Sequence, residues 1–543
     1  MRSFAVGRPR PAGGWLALAG AALLWAQPNA QAALTDNLGA SVVAMSMGNA
    51  VVADPPGLDS IHFNPAGLAR LKANRRQDAV FGASIKPYAS FSQPPDFDIG
   101  GWKEDPLNGT RTGDKVNASL FLPLYGPIKR PLPSAVGAGL GLAFHAPDSK
   151  WTFGTASYVP MAVGIDRTED PNDPARFDGK KIVIQRLVYL SPTAAYQYSD
   201  TLSFGIGVPI AHQGFALNTD MRMPNQLLGI IGKLQDAWCG DQGNPLDTLA
   251  FGLCGGGKEG RLRPFNKAGN MDFELTAPVD PTLNLGVLWE PKDWFALGAS
   301  YQFGSKTAMT GRFSFQADPM LRKFVDGMYA SLQGPILAAT FGMPTSIPAV
   351  QSGNVTLVLP FPEHAQVGIK VKPLSFLQFN VDANWTNWKR WDKMTFQFDQ
   401  QVALLQMARL FGQPDASKLV IPRGYQSPLH FGYGMDLSIG QSLHLRAGYE
   451  PRKSSVPRSA MDLIAPMPDL TVKSVGIGYT TKSGTRFDAT ASYAHGKFDL
   501  PANTSCNLNC NNFFNVIYNP YAGLDINGGI RIRYAGISMS HEF

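Results

Sequence analysis

The stretch LNLGVLWEPKDWFALGASYQF, Leu283–Phe303, decides the fold. Leu283, Leu285, Val287 and Trp289 alternate with Asn284, Gly286 and Leu288, and Glu290-Pro291-Lys292-Asp293 turns the chain. Phe295, Leu297, Ala299, Tyr301 and Phe303 then alternate with Ala296, Gly298, Ser300 and Gln302. A period of two sends successive side chains to opposite faces, so the stretch is a hairpin with one apolar face and one small or polar face. Aromatic residues at the strand ends suit the girdles of a membrane barrel, where one face meets lipid and the other lines a lumen.

The unit recurs in both directions. Val367, Ile369 and Val371 turn at Pro373-Leu374-Ser375 into Leu377, Phe379, Val381, Ala383 and Trp385. Leu429 to Leu437 pairs in the same way with Leu443 to Tyr449, and Val475 to Tyr479 with Phe487 to Tyr493. The last strand carries Ala535, Ile537, Met539, His541 and Phe543 on one face. Short turns near Gly126–Pro133, Ser199, Pro291, Pro373, Gly440 and Ser483 separate long connections near 92–114, 152–182, 219–270, 318–352, 400–425, 454–469 and 500–527. A soluble sandwich alternates too, but it does not join long strands by strictly alternating short and long connections. The pattern predicts an all-β protein, a transmembrane antiparallel barrel of 14 strands over 78–543, with periplasmic turns and long extracellular loops.

Composition agrees. Only 16% of the 543 residues are charged, against about a quarter in soluble domains, while 11% are aromatic. Mean hydropathy is −0.10, and no run of ~20 apolar residues follows the N-terminus, which argues against a many-helix membrane protein. The net charge of +7 comes without a basic patch interleaved with aromatics, so no nucleic-acid partner is expected. Arg2, Arg8 and Arg10 precede the apolar run Trp15–Ala26, and Ala30-Gln31-Ala32 offers a small-x-small cleavage site; 1–32 reads as a signal peptide.

Outside the cytosol an even cysteine count reads as disulfides. Cys239 and Cys254 fall in one loop region and Cys506 and Cys510 in another, which favours the sequence-local pairing among the three possible. The spacings do not suit zinc and no His lies nearby, so neither metal nor cofactor is expected.

Residues 33–77 are Gly- and Ala-rich and do not alternate, and a segment of that length before a wide barrel can fill its lumen. Gly48, Ala50, Ala53-Asp54 and Asn64-Pro65-Ala66-Gly67-Leu68 resemble the plug of the FadL family, the outer-membrane long-chain fatty acid transporters and their aromatic-hydrocarbon relatives. Leu359-Pro360-Phe361-Pro362-Glu363, Trp385-Thr386-Asn387-Trp388, Arg446-Ala447-Gly448-Tyr449 before Ser455-Val456-Pro457, Pro468-Asp469 and the terminal Phe543 fit the same family. The resemblance runs from about Leu38 to the end. It implies a 14-stranded barrel closed by an N-terminal hatch at Gly48, Asp54, Asn64, Pro65 and Ala66, passive uptake of hydrophobic molecules with long-chain fatty acids first and aromatic or aliphatic hydrocarbons as the alternative, and a kinked wall strand that opens sideways. Two departures stand out. Asp54 is followed by Pro55-Pro56 rather than a second acid, and Ala211-His212-Gln213-Gly214 lacks the cation expected to meet a carboxylate.

Apolar residues recur at helical spacing in the outer loops, Leu227, Leu228, Ile231 and Leu234 in one and Phe324, Val325, Met328 and Leu332 in the next. Apolar helices in exposed loops either pack together as a lid or bind something, and a lid with an apolar groove does both. Ala135–Phe144 reads as the third strand, with Pro147 as its kink and lateral exit, or simply its end. Arg446 faces the lumen by alternation, where it meets a ligand carboxylate or, more simply, an internal acid.

The partners so expected are a hydrophobic small molecule, outer-membrane lipid and lipopolysaccharide, and the barrel-assembly machinery through the C-terminal strand. Gly255-Gly256-Gly257-Lys258 lacks the spacing and following hydroxyl of a phosphate loop. No G-x-S-x-G or H-E-x-x-H is present, so the chain is not read as an enzyme. A general porin would lack a plug, and an adhesin shares only the long loops.

Overall fold

A computed structural model of the chain describes Asn37 and residues 39–130, 132–240, 243–411, 415–464, 466–511 and 518–543; the expected signal peptide lies outside the described residues. Fourteen antiparallel strands close into one barrel. They are β1 (Arg75–Ser92), β2 (Ala135–His145), β3 (Trp151–Asp166), β4 (Lys181–Leu190 and Thr193–Gln197), β5 (Leu202–Gly207 and Ile210–Met221), β6 (Gly269–Pro281 and Asn284–Lys292) and β7 (Phe295–Gln302 and Met309–Ala317). The second half comprises β8 (Val350–Val358 and His364–Leu374), β9 (Leu377–Thr386 and Lys393–Phe398), β10 (Lys418–Pro422 and Leu429–Ile439), β11 (Leu443–Arg452), β12 (Leu470–Thr480), β13 (Arg486–Leu500) and β14 (Asp525–Glu542). β14 pairs with β1 from Arg75↔Glu542 to Ser92↔Asp525 and closes the sheet. No helix among the described residues is long and apolar enough to cross a membrane.

The alternation of the β6–β7 hairpin appears as expected. Leu285, Trp289 and Leu297 are exposed on the outer face, while Asn284, Leu288, Ala296, Ser300 and Gln302 are buried inside. The upper segments of β5 to β9 rise above the lower barrel and enclose an apolar core, in which the Phe273 and Phe396 rings stack at 4.8 Å and those of Phe313 and Phe398 meet edge-on at 4.8 Å. Ring pairs in these geometries add to the burial of their area.

One strand differs from the sequence expectation. Ala135–His145 is the second strand, and the third is Trp151–Asp166, a stretch that reads as a loop because it is covered on both faces over much of its upper half and holds Pro160. Gly126–Pro133 is not a periplasmic turn. It belongs to the first long connection, where Phe121–Leu122 and Gly126–Pro127 form a small ladder. Two errors offset each other, so the total stays at 14.

Candidate functional site

The N-terminal segment crosses the lumen as short helical turns, α1 (Val42–Ser46), Ser60–Phe63 and Pro65–Arg70. Ser41 caps α1 by accepting a hydrogen bond from Ala44 N, and Asn64 caps the last turn by accepting from Ala66 N. One side of this hatch is held by polar side chains of the wall. Asp382 Oδ2 accepts from Val52 N at 2.8 Å, Asn380 Nδ2 donates to Ala50 O at 2.8 Å, and Gln366 Nε2 donates to Asn49 O at 3.0 Å. Asn49 Nδ2 donates to Glu450 at 3.0 Å, Gln302 Nε2 to His62 O at 2.7 Å, and Asn64 Nδ2 to Val287 O at 3.0 Å. At the periplasmic end Asp54 and Arg70 of the hatch form an ion network with Glu290 and Lys370 of the wall, over 2.7–3.5 Å. These wall partners lie on β6, β7, β8, β9 and β11. Close approach requires glycine here. Gly48 sits at φ +60°, and a Cβ on it would stand 2.8 Å from Tyr433 O; one on Gly298 would stand 2.1 Å from Val52 O.

The opposite side is apolar. Leu58, Ile61, Leu68 and Ala69 pack with Ala143, Tyr158, Val188, Ala195 and Ala211 of β2 to β5. Directly above, β2 pairs with β1 only from Arg75↔Ala143 to Ala83↔Ala135. The ladder on that edge of β1 resumes at Ala89, which donates to Thr112 Oγ1. Ser84–Tyr88 therefore have no strand on that edge among the described residues, a window about 16 Å long at the usual rise per residue. It is crossed near its upper end by Arg167, whose Nη2 donates to Pro87 O at 2.9 Å. Across the window, β3 shifts register between Tyr158 and Met161, at Val159-Pro160.

Behind the window lies a cavity of about 250 Å³. Its lining is largely Phe81, Ile85, Leu120, Phe121, Leu187 and Ile532, with Gly39 and Met45 from the hatch. Among the described residues, no Lys, Arg or His lines it. Gln185 is already bonded to both Phe121 N and Phe121 O. Ser492 Oγ and Tyr534 Oη, opposite each other on β13 and β14, are buried without a partner among the described residues.

The other sequence-chosen residues fall as follows. Pro147 sits in the turn between β2 and β3 and so ends a strand; the irregularity of the wall lies at Val159-Pro160 instead. Arg446 is buried between Asp436 and Asp488, at 2.8 Å from each, and is therefore an internal ion pair. His212 bonds to Thr276 Oγ1 at 2.7 Å and packs on Phe121. Cys239–Cys254 and Cys506–Cys510 are disulfide-bonded.

Leu227, Leu228, Ile231 and Leu234 lie on α2 (Gln226–Cys239), capped by Asn225; Phe324, Val325 and Met328 lie on α3 (Pro319–Tyr329), capped by Asp318, and Leu332 just beyond it. Leu228, Phe324, Val325 and Met328 are buried in the lid, whereas Leu234 and Leu332 are exposed. Exposed with them are Ile230, Trp238, Leu246, Leu249 and Ile336, an apolar outer surface of which the helical spacing showed only part.

A family model described as outer membrane protein transport protein (OMPP1/FadL/TodX) matches residues 21–509. Among solved structures, the chain is similar to a Pseudomonas aeruginosa FadL homologue at 17% identity, with 95% of this chain and 100% of that chain covered and a TM-score of 0.63. The Pseudomonas putida toluene transporter TodX is similar at 14% identity, covering 94% and 99%, with a TM-score of 0.56. The Ralstonia pickettii toluene transporter TbuX is similar at 15%, covering 93% and 99%, with a TM-score of 0.54. At these identities the likeness to the solved structures establishes the fold. No curated protein matches the chain.

Proposed function

The chain belongs to the OMPP1/FadL/TodX family of outer-membrane transport proteins, and from that premise we propose that it carries small uncharged hydrophobic molecules, aromatic or aliphatic hydrocarbons, into the bilayer through the cavity and window beside β1. The lining of the cavity supports this reading. An apolar cavity of about 150 Å³ holds benzene, so 250 Å³ accommodates a substituted arene or a short alkane. An ionised carboxylate buried there would have no cation to pair with, at large cost. The other nearby lumenal cations are spoken for, Arg186 by Asp280 at 3.1 Å and Arg446 by its two acids.

Capture begins at the exposed apolar lid, and apolar surface removed from water gains about 25 cal/mol per Å². The ligand then enters the cavity and leaves sideways down its gradient, into the outer leaflet at its head-group boundary. Gly39 and Met45 line the cavity while Asn64, Pro65 and Ala66 do not, so the yielding part of the hatch is its first turn. Ser492 and Tyr534 offer one place for a single oxygen function on the ligand. Insertion of the barrel through its C-terminal strand, and contact with lipopolysaccharide, belong to the same reading.

Long-chain fatty acids are the second reading, since one of the similar structures is described as a FadL homologue, while two others are described as toluene transporters. Uptake of labelled toluene and labelled oleate, in a strain lacking its own hydrophobic-uptake protein, separates them. Toluene accumulating faster than in the empty strain is expected. Oleate alone would transfer the protein to fatty acids, and neither would end the transport reading.

A further inference from the structure

The outer face of β12, β13, β14 and β1 changes character partway up. From the periplasmic end it shows Tyr479, Ile477 and Val475; Phe487 and Ala491; Met539, Ile537 and Ala535; and Val80. It then turns basic. One cross-strand row reads Lys473, Tyr493, Arg533 and Ser84, and the next reads His495, Arg531 and Lys86. Lys86, Lys473, Arg531 and Arg533 are exposed and pair with no carboxylate among the described residues. Arg531 lies over the Tyr88 ring at 4.8 Å. Just above, a recess adds Arg111 and Lys497, together with the acids Asp114 and Asp499.

The level of these rows is fixed by geometry. Ten residues separate Phe543 from Arg533, and a strand rising ~3.3 Å per residue at ~40° of tilt climbs about 25 Å, the height of the apolar band. The cations thus stand where hydrocarbon gives way to head groups on the extracellular side. Beside this sector the row continues with Tyr449, and farther round the wall Tyr301 and Trp385 take outward positions. Within the sector Lys86 and Arg531 face each other directly in register, a like-charge pair that destabilises a sheet unless an anion lies between.

We propose that this sector binds the phosphate groups of lipopolysaccharide, the phosphorylated glycolipid of the extracellular leaflet. Arg531 and Arg533 are about 7 Å apart along one strand, and Lys86 is about 5 Å across from Arg531. Such spacing lets guanidinium and ammonium groups share one phosphate, with forked Arg contacts supplying geometry and Lys supplying charge. The acyl chains then lie along Ala535, Ile537 and Val80. Lys86 belongs to the unpartnered edge of the window, so the bound glycolipid stands beside the opening.

The test uses the full-length mature barrel in detergent, titrated with deep-rough lipopolysaccharide and followed by native mass spectrometry. The variant K86S/R531S/R533S is expected to bind about a hundredfold more weakly, from the usual contribution of each cation at an anionic surface. The control K292S/K482S, on periplasmic turns, should bind like the parent. Heat-modifiable gel mobility verifies that each barrel is folded. Unchanged binding by the folded triple variant overturns the proposal. So does phosphatidylglycerol binding as tightly as lipopolysaccharide, or inorganic phosphate competing at equal concentration. Loss of binding on enzymatic removal of the lipid phosphates supports it.

Discussion

The two sides of the hatch are attached by different physics. Toward β6–β11 its backbone is bonded by buried Asp382, Asn380, Gln366 and Gln302, each aimed at one atom. Toward β2–β5 its middle rests on Tyr158, Val188, Ala195 and Ala211, contacts with no preferred direction. Among the described residues only its two ends are bonded there, Asn37 N to Pro160 O and Lys72 Nζ to Gln197 Oε1. Directional bonds fix position and cost dearly when broken, whereas apolar contacts tolerate sliding. The window stands above the side that slides, while α1, whose Met45 lines the cavity, packs on β11 to β14. A ligand in the cavity therefore meets the hatch at α1, ahead of the bonds at Asn49 and Val52.

The contrast breaks most sharply in the cavity itself. Ala162→Trp, which fills the space behind the window, should reduce toluene uptake to that of the empty strain while leaving ion conductance unchanged. On the gripped side, D382A/N380A strands Val52 N and Ala50 O. At about 1–3 kcal/mol for each unsatisfied group, amide exchange across Val51–Asp54 should accelerate and conductance rise. If Leu58→Ala opens the pore as much as that pair does, the two sides are equivalent and the comparison fails.

Reducing Cys239–Cys254 should cost about 3 kcal/mol of lid stability by loop entropy, read as faster proteolysis of 240–260 with the barrel intact. The smallest effect concerns Asp178, buried in the loop after β3 beside Asp462 and Arg423. Burial, and then the Asp462 carboxylate, push its carboxyl well above the usual range. The folded lid thus favours the protonated acid, so its stability is full below about pH 4 and declines as pH rises toward the raised value. Asp178→Asn should flatten that decline in lid proteolysis measured against pH.

The barrel was legible in the chain because alternation along strands such as Leu283–Trp289 is a property of single segments. The third strand was not, since Tyr158 to Asp166 is covered on both faces by the hatch and the first long connection, and burial on both sides erases alternation. The hatch motif was readable, but its grip was not. Asp382 and Gln366 are ordinary lumenal polar residues until the position of Val52 and Asn49 is known. The cavity likewise depends on a ladder that stops at Ala83, and the length of a pairing leaves no mark on either strand.

The hatch also has a timetable. Its Val52 amide bonds to a residue 330 positions later, and its Asn49 side chain to one 401 positions later. It precedes every wall strand in the chain, yet it acquires its fixed shape only after β9 and β11 are in place. Closing loops of that size is entropically unfavourable and slow. During biogenesis the segment must wait as soluble polypeptide, and its many small residues suit the wait. Maturation thus runs from wall to hatch, the reverse of the order in which the chain is written.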